Sequence, residues 1–166
     1  MSPDDLVIGA WGARFRGRTF ACAVGRGGIG DKQAEGDGVT PRGAHDLEMV
    51  LYRPDRIPRP RGGAPARAIG LGDVWSDDPM DPAYNSLARA PHGFGHEALR
   101  RSDPMYDLVA VLDWNRREIV RGRGSAIFLH VWRRPRYPTE GCIALARHDL
   151  FWVLDRWSAD SRVIVF

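Results

Sequence analysis

The sequence predicts a mainly β (α+β) domain with long loops and one short helix in its C-terminal region. Three observations carry that expectation. Apolar residues recur with the two-residue period of strands in several short segments, and a helical stripe occurs once, near the C-terminus. In addition, 19 glycines and 12 prolines punctuate 166 residues, above the usual content but below that of low-complexity chains. The length fits a single domain, residues 1–166, able to bury a core without a disulfide framework.

Taken in order, Thr19–Val24 alternates with Phe20, Cys22 and Val24 on one face, so Cys22 reads as a small core residue. Residues 25–43 hold seven glycines and one proline among charges, a long loop of the kind that tends to carry function. Leu47–Tyr52 can form a second strand. Residues 53–67 mix five arginines with four prolines and read as an exposed connection. Residues 73–106 are rich in Asp, Pro, Gly and His and read as irregular. Leu108–Leu112 is a buried-strand run, Asp113–Asn115 a turn, and Ser125–Trp132 a further strand. The helix starts near His148 and Asp149 and runs to about Trp157, with Leu150, Val153, Leu154 and Trp157 on one stripe. Ser161–Phe166 closes the chain as a strand.

Charge and composition exclude several function classes. The net charge is +3, and Lys32 is the sole lysine among 24 basic residues. The basic stretch Arg53–Arg67 is interrupted by Asp55, and the small overall excess argues against nucleic acid. No uncharged run approaches the ~18 residues of a spanning helix, so no membrane insertion is expected. Asp4 and Asp5 precede a short apolar stretch and arginines follow it, the reverse of a secretory leader. The expected location is therefore cytoplasmic for the chain as written, and periplasmic or cell-envelope if a leader once preceded it. Gly25–Gly30 satisfies G-x-G-x-x-G, but Gly36, Gly38 and Pro41 arrive where a dinucleotide site needs a helix. His45, His92, His96 and His148 have no metal-ligand spacing. Cys22 and Cys142 are either one buried and one functional thiol, or a redox pair.

The informative segment begins on the strand before the helix. There Ile127, Leu129 and Val131 point to one side, and Phe128, His130 and Trp132 to the other. Twelve positions beyond His130, after a turn with Pro135 and Pro138, stand Gly141 and Cys142. Doubling back over that interval brings the thiol level with the imidazole. An imidazole that takes the proton makes a thiol a strong nucleophile. A glycine just before it lets backbone N–H groups approach a developing oxyanion. Spacing alone leaves a Cys–His enzyme and a satisfied structural histidine both open.

These residues resemble the signature of the L,D-transpeptidase catalytic-domain family: a histidine, an interval, then Ser/Thr-His-Gly-Cys. His130 matches the general base, Thr139 the hydroxyl residue, Gly141 the glycine and Cys142 the nucleophile. The segment from Lys32 through Asp37 and Thr40 to Gly43 resembles the family's glycine-rich segment that borders the cleft. Trp75–Pro79 with Tyr84 and Asn85 resembles a segment of a compact branch. The resemblance implies an L,D-transpeptidase-like β-sandwich, with Thr139, Lys32, Asp37 and Thr40 beside the substrate. Chemistry and position add Tyr84, Asn85 and Tyr106 as cleft-lining candidates, and Lys32 as a group to steer a substrate carboxylate.

Two positions depart from the family pattern. Glu140 replaces the usual histidine, and Ala144 stands where Asn or Arg commonly follows the nucleophile. A carboxylate beside a thiol raises its pKa, so Glu140 is expected to point away and pair with Arg133 or Arg136. Arg147 is expected to stand in for the polar side chain that Ala144 does not supply. The implied substrate is a peptidoglycan stem tetrapeptide or muropeptide, cut between the L-centre of a diamino acid and the terminal D-alanine. Cys142 would form a thioester, resolved by an amine (transpeptidase) or by water (L,D-carboxypeptidase in cell-wall recycling). No metal or organic cofactor is implied, nor any oligomeric state. A non-catalytic peptidoglycan-binding module is the alternative of another class.

Overall fold

The structure, a computed structural model, describes residues 2–166. In chain order the strands are β1 (Leu6–Gly9), β2 (Gly12–Phe15), β3 (Arg18–Phe20), β4 (Cys22–Ala23), β5 (Ile29–Gly30), β6 (Thr40–Pro41), β7 (Gly43–His45), β8 (Leu47–Tyr52) and β9 (Ala66–Ala68). They continue with β10 (Asp73–Ser76), β11 (Leu87–Arg89), β12 (His96–Ala98), β13 (Leu108–Leu112), β14 (Phe128–Val131) and β15 (Ile143–Leu145). Helix α1 (Arg147–Leu154) and β16 (Val163–Val165) close the chain.

Two large sheets face each other. One has the order β3-β2-β1-β16-β7, with β16 parallel to β1 and Leu6 opposite Val163. The other runs β4-β15-β14-β13-β8-β9. Between them lies the main core, where Leu6, Ile8 and Phe15 of the first sheet meet Leu108, Ala110, Leu112 and Leu129 of the second. Helix α1 adds Leu150, Val153 and Leu154, and Phe15 stacks on Trp157 with ring centroids 5.9 Å apart. This is the expected β-sandwich with one short helix.

The six-stranded sheet is covered on its outer face too. Along β13, Leu108, Ala110 and Leu112 enter the main core, whereas Val109 and Val111 join a second cluster with Leu51, Trp75, Leu99, Tyr106 and Phe128. A small sheet of order β11-β10-β12 supplies Trp75, which meets Phe128 edge-on at 5.1 Å. Cover on both faces is why Leu108–Leu112 reads as an unbroken apolar run.

Several sequence expectations change in detail. Residues 73–106, expected to be irregular, contain all of that small sheet, in strands of three or four residues too short for alternation to register. The stretch 53–67 is less exposed than expected. Arg53 and Ile57 are buried, Arg53 is paired with Asp55, and β9 begins at Ala66 as an edge strand. Thr19–Val24 divides between the two large sheets. Ser125–Trp132 yields strand only over Phe128–Val131, because Ala126 adopts a left-handed conformation, φ 52°. No helix of the described residues is long and apolar enough to cross a membrane.

Candidate active site

The site lies on the outer face of the six-stranded sheet, where β14 and β15 run parallel. Register pairs Leu129 with Ile143 and His130 with Ala144. Cys142, one residue before Ile143, therefore shares a face with Phe128 and His130. The Phe128 N–H points at Cys142 Sγ, 3.4 Å away, and the thiol donates to the Ala126 carbonyl at 3.1 Å. His130 Nδ1 lies 2.8 Å from the Val131 carbonyl, which can only accept, so the neutral ring carries its proton on Nδ1 and leaves Nε2 as the base. Among the described residues no hydrogen bond joins the imidazole to the thiol. Both line one cleft of about 500 Å³, together with His96, Glu97, Arg101, Met105, Tyr106, Arg133, Tyr137, Thr139 and Glu140.

Burial sets the protonation states. It pushes the Cys142 thiol up to about 12; the Glu97 carboxylate adds to that, and the Phe128 N–H and Lys32 oppose it. It also brings His130 down to about 4, against the Val131 carbonyl. The resting pair is a thiol and a neutral imidazole rather than an ion pair. Tyr106 packs its ring at 84° to that of His130, centroids 5.5 Å apart, and its hydroxyl donates to Glu97.

The turn carrying the thiol is built against the glycine-rich loop. Thr139 Oγ1 donates to the Cys142 carbonyl at 2.6 Å and accepts from the Gly141 N–H at 3.2 Å. Thr40 Oγ1 accepts from the Gly25 N–H at 2.8 Å and lies 3.4 Å from the same Cys142 carbonyl. Gly141 has φ 133°, and a Cβ there would lie 2.9 Å from the Val39 carbonyl oxygen. A Cβ on Gly25 would lie 2.9 Å from Gly141 Cα, so the glycine at this position serves the close approach of loop and thiol-bearing turn.

The structure thus divides the residues singled out from sequence. Cys142, His130, Thr139 and Tyr106 line the cleft, with Gly141 buried immediately behind. Lys32 is buried and ion-paired to Asp37 at 2.6 Å, while Asp37 also accepts from the Gln33, Ala34 and Val39 N–H groups. Those two brace the loop, as does Thr40. Tyr84 and Asn85 lie under the site. Tyr84 bonds Glu35 and Gly124, and Asn85 accepts from Trp75 Nε1 and from the Ala126 N–H, holding the residue whose carbonyl receives the thiol. Arg147 sits on α1 outside the cleft and pairs with Asp107 at 3.3 Å, so it does not stand in for a polar residue at position 144. Ala144 is buried beside His130. Glu140 lines the same cleft rather than pointing away from it, and its partner is Arg26 at 2.7 Å, not Arg133 or Arg136, because the bridge from Gly25 to Thr139 brings Arg26 alongside. Cys22 registers with Leu145 and packs on the main core, opposite to Cys142, which excludes a redox pair within one chain in this fold.

Sequence reasoning missed Glu97, Arg101 and Arg133 in the cleft wall. The first two come from the segment read as irregular. Only the exposed–half-buried–exposed pattern of His96, Glu97 and Ala98, invisible before β12 is known, marks Glu97 as the most enclosed of the three. Among the described residues no group of three His, Cys, Asp or Glu side chains is arranged to hold a metal. The YkuD family model, which describes the L,D-transpeptidase catalytic domain, matches residues 12–165. No curated protein and no solved structure matches the chain.

Proposed function

Because the chain belongs to the L,D-transpeptidase catalytic-domain family, we propose that it is a cysteine acyl-transfer enzyme acting on peptidoglycan stem peptides. The observation that carries this reading is the placement of Cys142 and His130 on one sheet face, lining one open cleft, with His130 Nδ1 committed to the Val131 carbonyl. His130 Nε2 takes the thiol proton as Sγ attacks the carbonyl of the diamino acid's L-centre. The C–N bond to the terminal D-alanine breaks, the imidazolium returns the proton to the leaving amine, and a thioester on Cys142 remains. The Gly141 N–H is already given to Thr139 in the free protein, so the oxyanion donor assigned here is the Cys142 N–H. An acceptor amine or water then releases the acyl group and frees the thiol.

A neutral resting pair suits this sequence of steps. The proton moves only when an electrophile is in place, and the sulfur–imidazole contact tightens as substrate binds. The test is D-alanine release from a defined muropeptide, with mass spectrometry of the protein for the acyl adduct. The active protein releases D-alanine and gains the mass of the acyl group, and Cys142→Ala does neither. Turnover by Cys142→Ala would refute the mechanism. Binding without any turnover by the unaltered chain would establish the non-catalytic module instead. A second stem peptide added as acceptor separates transfer, which gives a cross-link, from hydrolysis, which gives a tripeptide.

A further inference from the structure

Glu97 has no evident use in the chemistry above, and its position works against it. A carboxylate in the wall of the cleft that Cys142 lines adds to the effect of burial in keeping the thiol protonated. The other cleft carboxylate, Glu140, is ion-paired with Arg26. The cation that acts on Glu97 is Arg101, but that guanidinium is committed to Asp103 through three contacts, of 3.1, 3.0 and 2.7 Å. Glu97 itself accepts a hydrogen bond from Tyr106 and has no ion-pair partner among the described residues. Glu35 and Asp77 add to the negative field around it. The cleft thus presents, in the lining it shares with Cys142, a half-buried carboxylate without an ion-pair partner among the described residues, an arrangement that a positive charge on the ligand would satisfy.

We infer that Glu97 is the cleft's ammonium receptor: it pairs with the free side-chain amine of the residue whose carbonyl Cys142 attacks. This deepens the acyl-transfer reading and rests on it. The pairing does two things at once. It selects donors carrying a free amine, and it offsets a negative charge in the wall of the cleft that Cys142 also lines. Tyr106, donating to Glu97 and packed edge-on against His130, fixes the carboxylate relative to the base.

Two tetrapeptide donors test this, identical except that the diamino acid's side-chain amine is free in one and acetylated in the other. The unaltered enzyme favours the free amine in kcat/KM by about tenfold to a hundredfold, the range of a charge-assisted contact. In Glu97→Gln that preference shrinks to about threefold or less, whereas Glu97→Asp, which keeps the charge, retains most of it. The ratio removes any common change in thiol reactivity. Calorimetry on Cys142→Ala and on Cys142→Ala with Glu97→Gln reads the same preference without turnover. An unchanged ratio in Glu97→Gln, by either measurement, overturns the assignment and leaves acyl transfer standing. An amine preference in binding that depends on Glu97, without turnover by the unaltered chain, overturns the chemistry and leaves the receptor.

Discussion

The two faces of β13, β14 and β15 are made of the same strands and do opposite work. One face, with Leu108, Ala110, Leu112, Leu129, Val131, Ile143 and Leu145, is sealed by the second sheet and the helix. The other carries Val109, Val111 and Phe128 and then, at its edge, His130 and Cys142, roofed by a small sheet with Asp73 and Ser76 among its buried residues. A cysteine marks each face. Burial raises both thiols, Cys22 to about 11 and Cys142 to about 12. Thiol acidity therefore does not separate a structural cysteine from a candidate nucleophile here. Neighbours do: Cys142 has an imidazole with a fixed tautomer and an opening to solvent, whereas Cys22 packs against the main core.

The largest effect that would sharpen the contrast is at His130. His130→Ala should lower D-alanine release by about 10² to 10⁴, the contribution of a positioned base. The pH profile says more. The base must be neutral, and burial sets its pKa at about 4. The free-enzyme kcat/KM should therefore stay level from neutral pH down to about 5 and fall about tenfold per unit below about 4. A break near 6.5, the value of a solvated imidazole, would show that the working cleft is wetter than this one and that its two faces differ less.

Legibility in the sequence follows the same division. The main-core face was readable because its strands alternate or run apolar, and the α1 stripe of Leu150, Val153 and Leu154 is a helical signal. His130 and Cys142 were readable as a motif; the parallel register of β14 and β15 sets Phe128 opposite Cys142 and His130 opposite Ala144, so the pair twelve apart shares one face at a two-residue offset. The roof was not. Its strands are three or four residues long between Asp, Pro and Gly turns, and their register is fixed by contacts such as Trp75 on Phe128 that no local pattern announces. Tyr84 and Asn85 fell into the same gap. Polar side chains in a loop read as ligand contacts, yet they are buried because their hydrogen bonds go to Glu35, Gly124, Trp75 and Ala126.

The polar scaffold under the cleft should be costly to disturb. Asp37→Asn leaves the buried Lys32 ammonium without its counter-charge, a loss of about 3 to 5 kcal/mol in folding stability by urea titration. The sign with pH is fixed by the same contacts. Burial opposes the ionised form, but Lys32 and the Val39, Gln33 and Ala34 N–H groups outweigh it and hold the Asp37 carboxyl well below the usual range. Its unfolded value is about 4, so its stabilisation is complete above that pH. It declines as pH falls, because the unfolded chain takes the proton first. The unaltered protein should lose stability between about pH 5 and pH 2 more steeply than Asp37→Asn. Equal slopes would mean that the loop carries no charge-dependent bracing.

The smallest expected effect is at the other cysteine. Cys22 is half-buried on β4, opposite Leu145, with its side chain on the main core. Replacing it by alanine removes one sulfur's worth of packing from a site partly open to relaxation, so a loss of about 1 kcal/mol is expected. D-alanine release should stay within about twofold of the unaltered chain, and the acyl adduct should still form. The sheet between the two thiols makes this a demanding comparison, since β15 carries Leu145 towards one face and is entered from Cys142 on the other. If Cys22→Ala lowered turnover as far as His130→Ala does, the main core would be setting the cleft geometry through β15. The division of labour between the faces would then have to be abandoned.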